Sequence, residues 1–428
     1  MCAVRVVFLT HYFPPEAGAP QTRIAALTAA LAERSVRVTV HTGPPHYPAG
    51  RIAPPHRNRP LARERAGAVR IVRSPVLPAP NRGTVRRLAD HASFAVGALA
   101  TGVASGPADV VVAETPPLFL AAAGVPYARM KRAPLVLNVA DRWPASAVAL
   151  GALRDGIALR IAERLEAVAY AGAAAITVPT QTMQATLEAH EAARGKVVWM
   201  PPAVDLDRFE AAPPTPGGRP LRAVYVGTIG LAQGIGTLVE AARLAGPAVV
   251  EVTIAGDGAE GEEVRRAAER VANVRCIGPV VPAQVPELYG AADVGVVLLR
   301  ALPLFDEALP TKLLEVFAAG RAAVVGARGE SAGVVEKERA GVAVRPEDPA
   351  ALAAAFRALA LDPERVLRVS AAARAAAERS FSRSASASRW LELLTAVEGG
   401  RRLDESDRLH RASPGTAWRA SAGRHHAG

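Results

Sequence analysis

Short β-rich runs alternate with Ala- and Leu-rich helical segments along most of the chain, and this alternation restricts the fold more than any single motif. Residues 4–10 (VRVVFLT) are typical of a strand, residues 24–34 (IAALTAALAER) have helical periodicity, and residues 36–42 (VRVTVHT) return to a strand. Further apolar runs follow at 109–114, 134–140, 174–180 and 196–201. Because continuous apolar strands between helices are buried on both faces, the pattern predicts a parallel sheet covered by helices.

A Pro/Gly-rich segment at 201–220 (PPAVDLDRFEAAPPTPGGRP) interrupts the alternation once. Strand-like runs then resume at 222–228, 249–256, 273–278, 293–299 and 322–327. We therefore predict an α/β chain with two doubly wound, Rossmann-like domains, at 1–200 and 221–380, joined by a linker at 201–220. Such an arrangement places a ligand cleft between the domains, at the carboxyl ends of the strands.

The chain beyond the second domain divides into two parts. We expect a helix at 381–398 that returns to the first domain. Residues 399–428 lose all periodicity and are predicted to be disordered. A His pair at 425 and 426 lies in this tail, and a solvated tail is the favoured interpretation there over metal binding.

Charge and cysteine content exclude several classes of protein. The net charge of +11 is spread along the chain, without the dense basic runs and interleaved aromatics typical of nucleic-acid binders. It fits either codon bias or a preference for anionic membranes and phosphorylated ligands. Two cysteines make no disulfide framework, which favours the cytoplasm. No window reaches the roughly 20 apolar residues of a spanning helix; residues 92–106 are interpreted as a buried helix or one lying at a membrane surface.

Residues 305–320 (FDEALPTKLLEVFAAG) combine two glutamates with a lysine beside a predicted helix start. Pro310 suits a first helical position, and Gly320 suits the helix end. Free amides around Thr311 to Leu313, together with Lys312, would form an anion site suited to a diphosphate. Glu315 would then lie near a ribose, and Glu307 would face a sugar at the other end. An ordinary amphipathic helix with a charged first turn remains the alternative.

The same stretch resembles the E-x7-E signature of retaining GT-B glycosyltransferases of family 4. Residues 309–356 continue this resemblance into one branch, that of bacterial enzymes of the L-fucosamine transferase type, which build O-antigen and capsule. Other marks of the branch lie at 11–27 (HYFPPEAGAPQTRIAAL), 45–52 (PHYPAGRI), 114–120 (ETPPLFL), 141–153 (DRWPASAVALGAL) and 227–242 (GTIGLAQGIGTLVEAA). The resemblance runs from about residue 4 to residue 397.

The resemblance implies roles for individual residues. Gly18 would let backbone approach the donor's phosphates or sugar, and Asp141, at the end of a strand, would orient the acceptor or take up a proton. Glu307 joins Asp141 as a candidate catalytic residue. Donor binding is expected from Gly18, Thr228, Gln233, Gly256, Asp257, Lys312, Leu313 and Glu315, with Gly329 and Glu330 lining the nucleotide pocket through backbone groups. Each of these positions also has a plain structural interpretation as a turn, a cap or a surface loop.

One departure from the family pattern concerns the diphosphate. Most family-4 enzymes carry an Arg and a Lys after the first strand of the second domain, whereas this chain has Thr228 and Gln233 at the matching positions. The branch it resembles also lacks the pair. We therefore expect Lys312 and the start of its helix to supply much of the charge that the phosphates need.

The resemblance implies a retaining, metal-independent glycosyltransferase without cofactors. Its expected partners are a nucleotide-sugar donor that is UDP-linked and a glycan or polyprenyl-diphosphate-linked acceptor. We expect no nucleic-acid partner, and a cytoplasmic protein in peripheral contact with the anionic inner membrane surface. Two alternatives stay open: a GT-B nucleotide-sugar 2-epimerase, and a non-catalytic protein that binds a nucleotide sugar as a scaffold.

Overall fold

A computed structural model describes residues 3–401 except for Ala17, 81–83, 150–152, 154–155 and Ala211. The tail predicted to be disordered, including the His pair at 425 and 426, lies from residue 402 onward outside the described residues.

An eight-stranded sheet forms the centre of the first half. Its strands are β1 (Arg5–Leu9), β2 (Arg37–Thr42), β3 (Ala62–Ala66), β4 (Val69–Arg73), β5 (Val110–Thr115), β6 (Leu135–Val139), β7 (Ala175–Val178) and β8 (Val197–Trp199). They lie in the order β3-β4-β2-β1-β5-β6-β7-β8, and all neighbours are parallel except β3 and β4. Its helices are α1 (Ala19–Glu33), α2 (Thr84–Thr101), α3 (Leu118–Lys131), α4 (Ala145–Ala149), α5 (Ile157–Gly172) and α6 (Gln181–Glu188).

A six-stranded, fully parallel sheet forms the centre of the second half. Its strands are β9 (Leu221–Val226), β10 (Val250–Ala255), β11 (Val274–Gly278), β12 (Val294–Leu298), β13 (Ala322–Gly326) and β14 (Gly341–Val344), in the order β11-β10-β9-β12-β13-β14. The helices are α7 (Gly236–Ala245), α8 (Gly261–Ala268), α9 (Val285–Gly290), α10 (Thr311–Ala318), α11 (Gly329–Lys337), α12 (Pro349–Leu361), α13 (Pro363–Ala376) and α14 (Arg383–Glu398). This strand order is that of a dinucleotide-binding Rossmann fold.

Both sheets reverse their strand order at one point, which confirms the predicted class of two doubly wound, Rossmann-like domains. The reversal lies between β1 and β5 in the first sheet and between β9 and β12 in the second. Loops that leave neighbouring strands in opposite directions open a crevice there, at the carboxyl ends of the strands. The fold therefore places one crevice in each domain.

The sequence pattern did not predict three of the strands. The β3 run ARERA has charged residues at three of five positions and lies at the antiparallel edge of the sheet, where no second layer covers it. Arginines interrupt the β4 run VRIVR, and β14 has only four residues. A search for continuous apolar runs detects central strands, since those are buried on both faces, and misses strands at or next to the edge of a sheet, such as these.

The last helix packs on the first domain. Trp390, Leu394 and Val397 of α14 belong to the same buried cluster as Val6 and Phe8 of β1. The chain therefore crosses between the domains twice, and the two crossings lie side by side: the Val204 amide donates to the Phe381 carbonyl at 2.7 Å.

The segment at 92–106 has both a buried and an exposed face. Phe94 and Ala98 of α2 are fully buried in the first domain, whereas Val96 is 67% exposed and Val103, just beyond the helix, is 77% exposed. Among the described residues, no helix has the length and apolar character needed to cross a membrane.

Candidate functional site

A cavity of about 930 Å³ lies between the two domains. Its first-domain wall comes from α1, the segment after β6 and the start of α6, and includes Arg23 and Asp141. Its second-domain wall comes from residues 303–311 and from Leu314 and Glu315 of α10. The two segments of chain that cross between the domains also line the cavity, so any closing motion of the domains changes the volume of this cavity.

The start of α10 opens onto the cavity as the sequence predicted. Pro310 is the N-cap residue, and its side chain provides no hydrogen bond to the first turn. The prediction that the Leu313 amide binds the anion is corrected, because this amide already donates to the Pro310 carbonyl at 3.0 Å and the Leu313 side chain is fully buried. The amides of Thr311 and Lys312 therefore remain as the donors for an anion. Gly320, with φ of +63°, follows the end of the helix as predicted.

Lys312 lies against the loop that follows β9. Its Nζ donates to the Tyr225 hydroxyl at 2.7 Å and lies 4.3 Å from the centre of the Tyr225 ring. The Tyr225 hydroxyl in turn donates to the Thr228 carbonyl. Burial lowers the pKa of Lys312 to about 8, partly offset by the Glu315 carboxylate. This chain of contacts joins Lys312 and Thr228, two predicted donor-binding residues, at the loop where the usual Arg/Lys pair is absent.

Glu315 lies one turn beyond Lys312 on the cavity side of α10. Burial raises its pKa, and the charges of Arg208 and Lys312 counter that effect. No hydrogen-bond partner of its carboxylate is found in the described part of the chain. Both carboxylate oxygens are therefore available to hydroxyl groups of a ligand.

Glu307 also lines the cavity, but its carboxylate is bound by the other domain. Arg142 Nε donates to it at 2.7 Å, and the Thr186 hydroxyl donates at 2.8 Å. Glu307 and its partners together form a direct tie across the cleft. A sugar that used this carboxylate would have to replace the Arg142 contact.

Asp141 follows β6 and is exposed to the cavity, on the wall opposite α10. The Ser146 hydroxyl donates to its Oδ2 at 2.9 Å, which fixes the orientation of the carboxylate. Its other oxygen faces no described donor. Asp141 and Glu307 thus line the same cavity. Arg142, the residue that follows Asp141, donates to the Glu307 carboxylate.

The other predicted donor-binding residues of the second domain stabilise the conformation of its loops. The Gln233 side-chain oxygen accepts from the Gly230 amide at 3.1 Å. A Cβ at Gly256 would lie 1.8 Å from the Gly227 carbonyl, so only glycine permits this contact between neighbouring loops. Asp257 is exposed and accepts from the Gly258 amide at 2.8 Å. Like Lys312 and Thr228, these residues do not line the cavity, and their contact with a nucleotide stays a prediction.

Gly18 immediately precedes α1 in the first domain. The first turn of that helix, with Pro20 and Arg23, lines the cavity. The backbone φ of Gly18, 165°, is ordinary extended geometry, so this position does not use the conformational freedom of glycine.

Glu330, whose backbone is predicted to line the nucleotide pocket, uses its side chain to join the two domains. It is buried, and its carboxylate accepts from the amides of Gln181 and Thr182 at 3.0 and 2.9 Å and from the Thr182 hydroxyl at 2.8 Å. The Thr180 side chain accepts from the next amide, that of Met183. Residues from both domains therefore cap the start of α6, and Glu330 is a second tie across the cleft.

Besides Arg142, three arginines in the cavity wall were missed by sequence reasoning. Arg208, Arg23 and Arg383 come from the linker, α1 and α14, which are far apart in the chain. Arg23 pairs with Glu114, and Arg383 pairs with Asp205 at 2.9 Å. Arg208 lies close enough to Glu315 to lower its pKa. The only sequence signal was the run VDLDRF in a segment otherwise interpreted as a linker.

Comparison with known proteins supports the fold and the class of activity. Residues 18–203 match the family model described as glycosyl transferase 4-like domain, and residues 220–362 match the model described as glycosyl transferases group 1. A search of curated proteins finds no match.

Solved structures of similar fold include sucrose-phosphate synthase from Thermosynechococcus elongatus, with a TM-score of 0.70 at 18% identity, over 93% of this chain and 100% of that one. Anabaena HepE in complex with UDP gives 0.65 at 16% identity, over 92% and 100%. WaaG, a glycosyltransferase involved in lipopolysaccharide biosynthesis, gives 0.57 at 17%, over 91% and 99%.

Two Rossmann-like domains around a shared cleft define the GT-B class of fold. Both matched family models describe glycosyl transferase domains, one in each half. The chain is a GT-B glycosyltransferase, with a 4-like first domain and a group 1 second domain. This assignment favours sugar transfer over the 2-epimerase and the binding-only scaffold.

Proposed function

We propose that the protein is a retaining glycosyltransferase that uses a UDP-sugar and acts in cell-surface polysaccharide synthesis, within the L-fucosamine transferase type of branch. The observation that carries the donor assignment is the cavity wall formed by the open start of α10 and the unpaired Glu315. HepE is solved in complex with UDP-glucose, which favours uridine as the base.

The donor would lie along α10. The amides of Thr311 and Lys312 and the Lys312 ammonium would bind the diphosphate, and Glu315 would accept two hydrogen bonds from the ribose hydroxyls. Arg208, close to Glu315, would add the positive charge that Thr228 and Gln233 do not provide. Charge-assisted hydrogen bonds of this kind contribute roughly 1.5–3 kcal/mol each.

The transfer step would use the leaving diphosphate itself. As the bond between the sugar and the diphosphate breaks, negative charge grows on the phosphate oxygens, and the positive end of α10 stabilises it. The acceptor hydroxyl attacks from the same face, which retains the anomeric configuration, and its proton passes to the departing diphosphate. Asp141, on the opposite wall, would orient the acceptor, and Glu307 would hold the donor sugar after leaving Arg142.

The acceptor is proposed to be a polyprenyl-diphosphate glycan at the inner membrane surface. The net charge of +11, the exposed Val96 and the exposed Arg86 and Arg87 of α2 support contact with an anionic surface. Sedimentation with anionic vesicles tests this contact. The R86E/R87E variant should bind about 30-fold less than wild type, because each of the two basic residues contributes about 1 kcal/mol. Equal binding would remove the membrane from the proposal.

A thermal-shift screen with UDP-, GDP-, ADP- and dTDP-sugars tests the donor assignment. UDP-sugars should stabilise the wild type and Glu263→Ala, whose carboxylate is exposed on α8, but not Glu315→Ala. An equal shift in Glu315→Ala would contradict the placement of the ribose. Release of UDP that depends on an added lipid-linked acceptor then tests transfer. UDP-sugar isomerisation without acceptor would instead establish an epimerase.

A further inference from the structure

A buried cluster of histidine and aspartate side chains lies in the first domain, away from the donor wall. His11 follows β1, Asp90 and His91 lie on α2, and His46 lies in the loop after β2. These residues come from three segments that are far apart in the chain, so no local sequence pattern indicates the cluster. None of them lines the cavity between the domains.

The spacing of the side chains fits a small cation. One potential ligand atom from each of His11, Asp90 and His91 lies within 4.8 Å of the other two. Ligand atoms at about 2.0–2.2 Å from a tetrahedral zinc ion lie about 3.3–3.6 Å from one another, so the widest spacing in the cluster has to shorten by up to about 1.5 Å when the ion binds.

Unsatisfied polar atoms within the cluster are a second, independent observation. His11 is 2% exposed and Asp90 is 1% exposed, yet His11 Nδ1 and Asp90 Oδ1 have no hydrogen-bond partner among the described residues. Leaving such atoms unpaired in the interior costs about 1–3 kcal/mol each. A bound ion removes part of that cost, and the burial of these atoms excludes a sugar as the group that satisfies them.

The surroundings of the cluster hold its ligands in place. One ring nitrogen of His46 lies 2.7 Å from the Pro44 carbonyl, and the other lies 3.0 Å from Asp90 Oδ2. The Glu16 carboxylate accepts from the His46 amide at 2.6 Å and so fixes that loop. Contacts of this kind, which orient a ligand from behind, are typical of metal sites.

We propose that His11, Asp90 and His91 bind one divalent transition-metal ion of the zinc type, which ties β1 to α2 beside the loop after β2. Two imidazoles and a carboxylate are a ligand set that zinc uses in proteins, and three protein ligands leave one position open. The ion lies on the acceptor side, separate from the donor wall, and takes no part in the departure of the diphosphate.

Metal content measures this site directly. Full-length protein carrying H425A/H426A, which removes the His pair of the tail, is treated with EDTA, loaded with Zn²⁺ or Co²⁺ and freed of excess metal. We expect about one equivalent of metal, visible absorption from the Co²⁺ form, and a Tm raised by about 5 °C. Wild-type protein that is folded by circular dichroism and holds less than about a tenth of an equivalent would overturn the proposal.

Three variants locate the ion within the first domain. His91→Gln should lose the metal, and His46→Gln, which removes only a contact behind Asp90, should weaken its affinity by about 10–100-fold. His56→Gln is the control, since His56 contacts Glu64 outside the cluster and its loss should change nothing. Equal metal content in His91→Gln and His56→Gln would place the ion elsewhere and contradict the assignment.

Discussion

The two ends of the 305–320 stretch differ in what holds them. At the helix end, Glu315 has no hydrogen-bond partner among the described residues, and Lys312 contacts only its own domain. At the loop end, Glu307 is bound by Arg142 and Thr186 of the other domain. The helix end is thus ready for a ligand, whereas the loop end holds the domains together until a ligand takes its place. Glu307 and Glu315, eight positions apart, therefore have different roles.

Asp141 tests whether the wall opposite α10 takes part in chemistry rather than in donor binding. Asp141→Asn should lower turnover by about 10²–10³-fold, because the carboxylate orients the attacking hydroxyl of the acceptor. The affinity for UDP, measured by calorimetry, should stay within about twofold, since UDP lies on the other wall. Ser146→Ala, which removes only the hydrogen bond to Asp141, should lower turnover by about tenfold. Wild-type turnover in Asp141→Asn would remove it from the site.

The pH dependence of donor binding tests the helix end. Burial lowers the pKa of Lys312 to about 8, so the ammonium loses its proton as pH rises through that value. The affinity for UDP should therefore fall by about tenfold between pH 7 and pH 9. In Lys312→Arg the charge persists over this range, and the affinity should be nearly constant. A wild-type affinity independent of pH up to 9 would mean that Lys312 does not bind the diphosphate.

Arg142 tests the tie at the loop end. Arg142→Gln frees the Glu307 carboxylate and should raise the affinity for UDP-sugar by about two- to fivefold, because a partly exposed ion pair contributes at most about 1 kcal/mol. The affinity for UDP should be unchanged, because UDP lacks the transferable sugar that would reach Glu307. Arg160→Gln, on the exposed face of α5, is the matched control. Weaker UDP-sugar binding in Arg142→Gln would show that Arg142 itself contacts the donor.

Glu330 sharpens the comparison, because it ties the domains without facing the cavity. In Glu330→Gln, hydrogen exchange at the Gln181 and Thr182 amides should become about tenfold faster, as two charge-assisted hydrogen bonds weaken. Donor affinity should change by less than about twofold. Glu336→Gln, at an exposed position of the same helix, is the control. Unchanged exchange in Glu330→Gln would show that Thr180 alone caps α6.

The sequence predicted the parts of the site that lie in one continuous run. Pro310, Lys312, Glu315 and Gly320 belong to one short segment, and helix start, charge and helix end all follow from local rules. The alternation of strands and helices likewise predicted both doubly wound sheets, apart from β3, β4 and β14, which lie at or next to a sheet edge.

Contacts between distant segments could not be predicted from the sequence. Arg142 with Glu307, and Glu330 with α6, join the two domains, and no local pattern indicates which charges meet across a cleft. The cluster of His11, Asp90 and His91 is of the same kind. Such contacts depend on how the two sheets face each other, which hydrophobic periodicity does not specify.

The central claim is that Glu315 binds the ribose and Glu307 binds the sugar of the same donor. Calorimetry with UDP and with the UDP-sugar found in the screen, on Glu315→Gln and Glu307→Gln, tests it most directly. Glu315→Gln should weaken both ligands equally, by at least about tenfold. Glu307→Gln should weaken only the UDP-sugar. Equal weakening of both ligands in Glu307→Gln, or full UDP affinity in Glu315→Gln, would contradict the account.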